Sequence, residues 1–264
     1  MSLKKRRFLL IGMLVVMMAS VFVLLSASVS AEGTKNGWET VGTKKYYYKN
    51  GAAQKGRVKI GKKWYFFKSS GVMATKDTKE NKVTYFINKN NNLEAFKKGK
   101  NYYKPGGKKM NKEKREDYKT LQRARKIVKK ITKSSMTKQQ KLKVCFDYVI
   151  KFPYKRCRIP FPANDKSWVS LYANDHFVRK GGDCHADAAA FAYLAKACGY
   201  KDVYVCIDAK LSNPNHHAWT YVDGLYYDPL FAEAKSYSAY WAAKKVKLIP
   251  IVKKRVAVGY VGDK

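Results

Sequence analysis

Aromatic clusters return along the first half of the chain at nearly even intervals. They are Tyr46-Tyr47-Tyr48, Trp64-Tyr65-Phe66-Phe67, Tyr85-Phe86 and Tyr102-Tyr103, with starts 18, 21 and 17 residues apart. A turn signal follows each one: Asn50-Gly51, Ser69-Ser70-Gly71, Asn88 to Asn92, and Pro105-Gly106-Gly107. A period near twenty residues, with one strand-turn-strand in each, predicts a stack of β-hairpins. No single hairpin buries its aromatic face alone, so neighbouring hairpins must supply the core.

The unit running from Gly61 to Thr75 resembles the cell-wall-binding repeat of choline-binding and glucan-binding proteins. The resemblance covers about residues 37 to 109, and it implies attachment to wall polymers or glycans through aromatic clefts. Its ligand-facing candidates are Trp38, Tyr47, Trp64, Tyr65, Phe67, Tyr85 and Tyr102. The Gly-Trp pair that normally follows the turn occurs only at Gly37-Trp38; Arg57 follows Gly56, and Lys76 follows Thr75. A cage that trades an aromatic face for a cation is expected to hold choline poorly, because ring faces attract cations and a fixed cation repels them.

The first 31 residues read as a secretory signal peptide. Lys4, Lys5, Arg6 and Arg7 precede the apolar run Phe8 to Leu25, and Val29-Ser30-Ala31 fits a cleavage site. The expected localisation is therefore secreted and wall- or surface-associated, with membrane contact only through the signal peptide before cleavage. Without those four basic residues, the 55 Lys and Arg become 51 against 19 Asp and Glu, a net charge of +32. Such a field concentrates polyanions. Behind a signal peptide these are expected to be wall polymers rather than nucleic acid.

The second half centres on Gly181-Gly182-Asp183-Cys184-His185-Ala186-Asp187, which opens the Ala-rich run to Ala197. Two glycines give a turn, and a helix then starts with Cys184 in its first turn. Thiolate is the nucleophilic form of cysteine, and a helix N-terminus favours negative charge. Cys184 is thus a candidate nucleophile. Helices are expected over Lys112 to Ile131 and after the capping pair Thr137 and Gln140, with Phe152 to Phe177 rich in loops. A strand is expected within Lys201 to Leu211.

Asp223-Gly224 is a strong two-residue hairpin signal. It pairs Val222 with Leu225 and Thr220 with Tyr227, which puts His217 and Asp228 on one face as diagonal neighbours and turns His216 to the other. Cys184, His217 and Asp228 then make a nucleophile, a base and its orienting carboxylate.

Three motifs in this order resemble the transglutaminase-like superfamily: Gly182-Asp183-Cys184-His185, His217-Ala218-Trp219 and Tyr227-Asp228-Pro229. The resemblance covers about residues 112 to 235. It implies a papain-like α+β core, helices packed on an antiparallel sheet, after the N-terminal all-β hairpin-repeat solenoid. It also implies acyl transfer through a Cys184 thioester on peptide amide bonds, acting as a cysteine peptidase or amidase or as a crosslinking transglutaminase, with a peptide or protein substrate. The expected oxyanion donor is the Cys184 backbone amide, with Trp168 the one further candidate.

The expected organisation is a signal peptide at 1–31, hairpin repeats at 32–110 and a catalytic domain at 111–264. No cofactor and no metal are expected. A zinc site from Cys184, His185, His216, His217 and Asp228 lacks the usual ligand spacing. The alternative function is a non-catalytic wall scaffold or adhesin, since a fold does not itself establish chemistry. Cys145, Cys157, Cys198 and Cys206 leave three disulfide pairings open, or all of them reduced, with Cys184 as the free thiol.

Overall fold

The computed structural model describes residues 34–256, apart from 157, 160, 211, 212 and 214. The signal-peptide reading of residues 1–31 falls outside them, as does Cys157. The described chain divides into two compact units, 34–78 with 87–92, and 79–86 with 93–256. No helix among the described residues is long and apolar enough to cross a membrane.

The first unit is built from short antiparallel strands. β1 (Gly37–Val41), β2 (Lys44–Lys49) and β3 (Ala52–Ala53) form one sheet, and β4 (Gly56–Ile60) pairs with β5 (Lys63–Phe67). Burial rises along β5 from the exposed Lys63 to the buried Phe66 and Phe67. Each hairpin turns where Gly or Asn takes a positive φ, as at Asn50 (50°), Gly51 (78°) and Gly71 (79°). Residues with short or absent side chains adopt that conformation at least cost. The expected β-rich repeat region is therefore present.

A further four-stranded sheet runs in the order β6 (Thr78–Glu80), β7 (Val83–Ile87), β8 (Leu93–Lys98) and β9 (Asn101–Tyr103). In the second unit, α1 (Lys112–Ile131) follows it. Asn111 caps α1 by accepting from the Lys114 N–H, and the helix buries Tyr118, Leu121, Ala124 and Val128 along one stripe. Arg125 grips the buried Glu94 carboxylate of β8 at 2.5 and 2.8 Å. α2 (Lys138–Ile150) starts at the expected Thr137–Gln140 capping box.

The stretch expected to be loop-rich holds a helix, α3 (Trp168–Arg179). α4 (Cys184–Ala197) is the centre of the unit, with twelve of its fourteen residues buried. Its alanines let α1, α2, α3 and the sheet approach closely. That sheet is antiparallel in the order β12 (Leu225–Tyr227), β11 (Ala218–Val222), β10 (Val203–Ile207), β13 (Val252–Arg255). The β11–β12 register pairs Thr220 with Tyr227 and Val222 with Leu225. Asp228 lies just beyond β12 rather than on a strand: it caps α5 (Pro229–Ala234), with Pro229 at the first position. A short α6 (Tyr237–Tyr240) follows. The architecture is a mixed helix and antiparallel-sheet body with a β-rich repeat region before it.

Candidate active site and aromatic cluster

Two glycines set the entry to α4. A Cβ at Gly182 would lie 2.4 Å from the Ala186 Cβ and 2.9 Å from Asp187 Oδ1; one at Gly181 would lie 2.5 Å from the Pro153 carbonyl oxygen. Only glycine lets the chain pass this closely. Asp183 then caps the helix by accepting from the Ala186 N–H at 3.1 Å. Cys184 takes the first helical position and is 9% exposed.

The structure sets the Cys184 sulfur against the backbone flanking His217 and joins the His217 ring to Asp228. His217 Nε2 lies 2.6 Å from Asp228 Oδ2. Asp228 is buried, and its other oxygen accepts from the Phe231 N–H at 3.0 Å. The His217 ring is stacked on Phe231, with centroids 4.1 Å apart and planes 11° apart. Its backbone N–H donates to Asp208 at 2.7 Å. The Cys184 sulfur approaches the backbone on both sides of His217: the His216 carbonyl at 4.0 Å, and the Ala218 N–H, which lowers the thiol pKa.

The helix N-terminus does not leave this thiol acidic. Burial first, and the Asp183 carboxylate second, push Cys184 up to about 12. The cap that stabilises the helix opposes the anion that the helix would otherwise favour. The resting group is a neutral thiol that needs a base.

His216 turns away from His217, toward His185: His185 Nε2 and His216 Nδ1 are 2.5 Å apart. His185 Nδ1 in turn lies 3.5 Å from Cys184 Sγ. Sequence reasoning gave His185 no part in acyl transfer. Its place beside Cys184 was the available signal, but its contact with His216 spans 31 residues. Among the described residues no group of three or more His, Cys, Asp and Glu side chains is arranged to hold a metal ion. Trp168 is buried at the start of α3, packed on Phe161 and Tyr172, the two rings that also flank His185.

In the first unit, Trp38 is 46% exposed and meets Tyr47, Tyr65 and Phe67 at centroid distances of 5.2, 5.0 and 5.9 Å. These four candidates form one cluster. Trp64 points to the opposite face of β5 from Tyr65. Tyr85 packs on Phe96 in the second unit, and Tyr102 is stacked on Phe86 and set against the buried Tyr118. Those two rings hold the fold.

Residues 35–77 match the choline-binding repeat family. The repeats include all four clustered rings. Similar solved structures include CbpJ from Streptococcus pneumoniae TIGR4, with 34% identity over 26% of this chain and 25% of that one, at a TM-score of 0.21. Choline binding protein F from the same organism, in the presence of a peptidoglycan analogue, shares 29% identity over 29% of this chain and 28% of that one, at a TM-score of 0.23. The modular Cpl-1 endolysin shares 30% over 28% and 24%, at 0.21. The chain thus spans about a quarter of the length of these proteins. No curated protein matches it.

Proposed function

We propose that this protein is a surface-attached thiol enzyme of the transglutaminase-like type, held at the wall by its repeats, that transfers acyl groups through a Cys184 thioester. One observation carries the catalytic half. The sulfur is bracketed by the backbone on either side of a histidine whose Nε2 is engaged by a buried carboxylate. That leaves His217 Nδ1 as the nitrogen for the thiol proton. Asp228 fixes the ring and compensates the imidazolium that forms.

The thiolate attacks an amide carbonyl. The leaving amine takes the proton back from His217, and water or a second amine resolves the thioester with His217 again acting as base. A thiol held near pKa 12 fits a general-base route, since little thiolate exists at neutral pH before the substrate arrives.

The repeat match and the part-exposed Trp38 cluster support the wall-binding half. Aromatic faces inclined to one another, at 66° and 74° for Trp38 against Tyr47 and Tyr65, suit sugars or a quaternary ammonium group. The test for catalysis is incubation with a glutamine-containing peptide and a labelled primary amine. Incorporation marks a transglutaminase and cleavage a hydrolase. Neither product, or product that persists in Cys184→Ser, sinks the enzyme and leaves the wall scaffold.

A further inference from the structure

Cys184 has a second imidazole beside it. The His185 Nδ1 atom sits 3.5 Å from the sulfur and 3.6 Å from Asp183 Oδ1, and its Nε2 sits 2.5 Å from His216 Nδ1. Both rings are buried, and Phe161 lies against both, with centroids 5.1 and 5.0 Å away. The far nitrogen of the chain, His216 Nε2, is buried with no hydrogen-bond partner.

These contacts select one arrangement of protons. A bare Nδ1 on His185 would aim its lone pair at the Asp183 carboxylate, and His216 Nε2–H would be a buried donor with nothing to accept it. With the proton on His185 Nδ1, that N–H points between the carboxylate and the sulfur. His216 Nδ1–H then donates to His185 Nε2, and only a lone pair is left unpartnered. Burial and the neighbouring His185 lower the His216 pKa, which keeps that ring neutral.

We infer that His185 is a second catalytic residue, a hydrogen-bond donor to the Cys184 sulfur, and that His216 is the positioning residue that fixes its tautomer. The two imidazoles then have opposite duties: His217 removes the thiol proton, and His185 supports the anion left behind. No proton is gained or lost at His185 in the cycle. Beside the Ala218 N–H, His185 is the side-chain donor within reach of the sulfur. Asp183, Asp187 and Asp228 all oppose a charge there, Asp208 acts on His216, Tyr154 feels the Cys184 charge, and the Tyr172 ring packs on His185.

The inference rests on reading Cys184 as the nucleophile, but its test does not need turnover. The full-length protein is alkylated with iodoacetamide across pH 6–9, and modification of Cys184 is followed by peptide mass mapping. Loss of a donor to a thiolate costs enough to slow Cys184 about 10-fold or more at every pH. His185→Phe and His216→Ala are both expected to do this while modification of the part-exposed Cys198 is unchanged. His216→Asn, whose side-chain N–H replaces the Nδ1 donor, is expected to restore most of the rate. His216→Ala and His216→Asn at equal rates, or His185→Phe or His216→Ala at the wild-type rate, overturns the inference. If His185→Phe fails to fold, the comparison at position 216 decides alone. A wild-type protein that transfers no acyl group yet shows this pattern loses the proposed function and the catalytic role, and keeps the hydrogen bond from His185 to the sulfur.

Discussion

His217 Nε2 and Asp228 Oδ2 are 2.6 Å apart although neither residue lies on a strand. His217 ends the approach to β11, and Asp228 caps α5, so one carboxylate serves both a helix and a ring. Asp228→Asn separates these duties. An amide oxygen still accepts the Phe231 N–H, and the unfolding temperature is expected to stay close to that of the wild type. Acyl transfer is expected to fall about 100-fold or more, because the ring loses the charge that orients it and offsets the imidazolium. Rate and melting curve measured on one preparation check both halves.

Gly182→Ala tests the turn. Its Cβ meets Ala186 and Asp187 on a helix packed on every side, and such overpacking costs about 1–3 kcal/mol. Chemical denaturation is expected to show that loss, with Cys184 alkylation faster as the helix start loosens.

Trp38 tests the repeats. Trp38→Ala removes the ring that the other three contact, and retention on purified cell wall is expected to drop about 10-fold or more. Trp64→Ala and Tyr102→Ala are expected to retain binding, since their rings face elsewhere. Elution by free sugar rather than by choline is the expected competition result, given Arg57 and Lys76 where the repeat normally has aromatic residues.

The cysteine sulfurs of α2 and the α4 C-cap, Cys145 and Cys198, lie 3.6 Å apart, and both are free. Oxidised glutathione is expected to join them with loss of two hydrogens, each glutathione half leaving as a thiol. The sequence separation is 53, so the bond restricts a long loop and contributes about 4 kcal/mol in the chain-entropy view. Mass mapping that finds Cys184 or Cys206 in the bridge contradicts this.

Asp117 gives a pH dependence with a definite sign. Burial raises its pKa to about 6, against the hydrogen bond from Tyr193, which lowers it. The folded state therefore binds this proton more tightly than the unfolded chain does. The contribution favours folding below pH 4 and is lost as pH rises through 6, a cost of about 3 kcal/mol at pH 8. Asp117→Asn is expected to gain stability relative to the wild type at pH 8, with the advantage shrinking toward pH 4.

Much of this was readable in the chain. The period of the aromatic clusters announces the hairpins, and Asp223-Gly224 sets the register that carries His217 toward Asp228. The helix α3 was hidden for a physical reason. Its buried face includes Ser170, Asp175 and His176, which break the apolar stripe, and Ser167 makes no side-chain cap. Ser170 donates locally to the Ser167 carbonyl, whereas Asp175 and His176 rely on partners outside the helix: Arg158 on Asp175 at 2.6 Å and Asp187 on His176 at 2.8 Å. The His185–His216 contact was hidden likewise, since no local pattern encodes it. Asp228 was placed on a strand although Pro229 behind it signals a helix start. Helix position alone does not set the Cys184 thiol, because burial and the Asp183 cap, neither visible in the helix pattern, outweigh it.

The most direct measurement is product formation from a glutamine-containing peptide and a labelled amine by the wild type, Cys184→Ser and His217→Ala. The account predicts a peptide product, crosslinked or cleaved, from the wild type alone, with an acyl adduct mapped to Cys184. Equal yields from all three proteins, or no product and no adduct from the wild type, would contradict it.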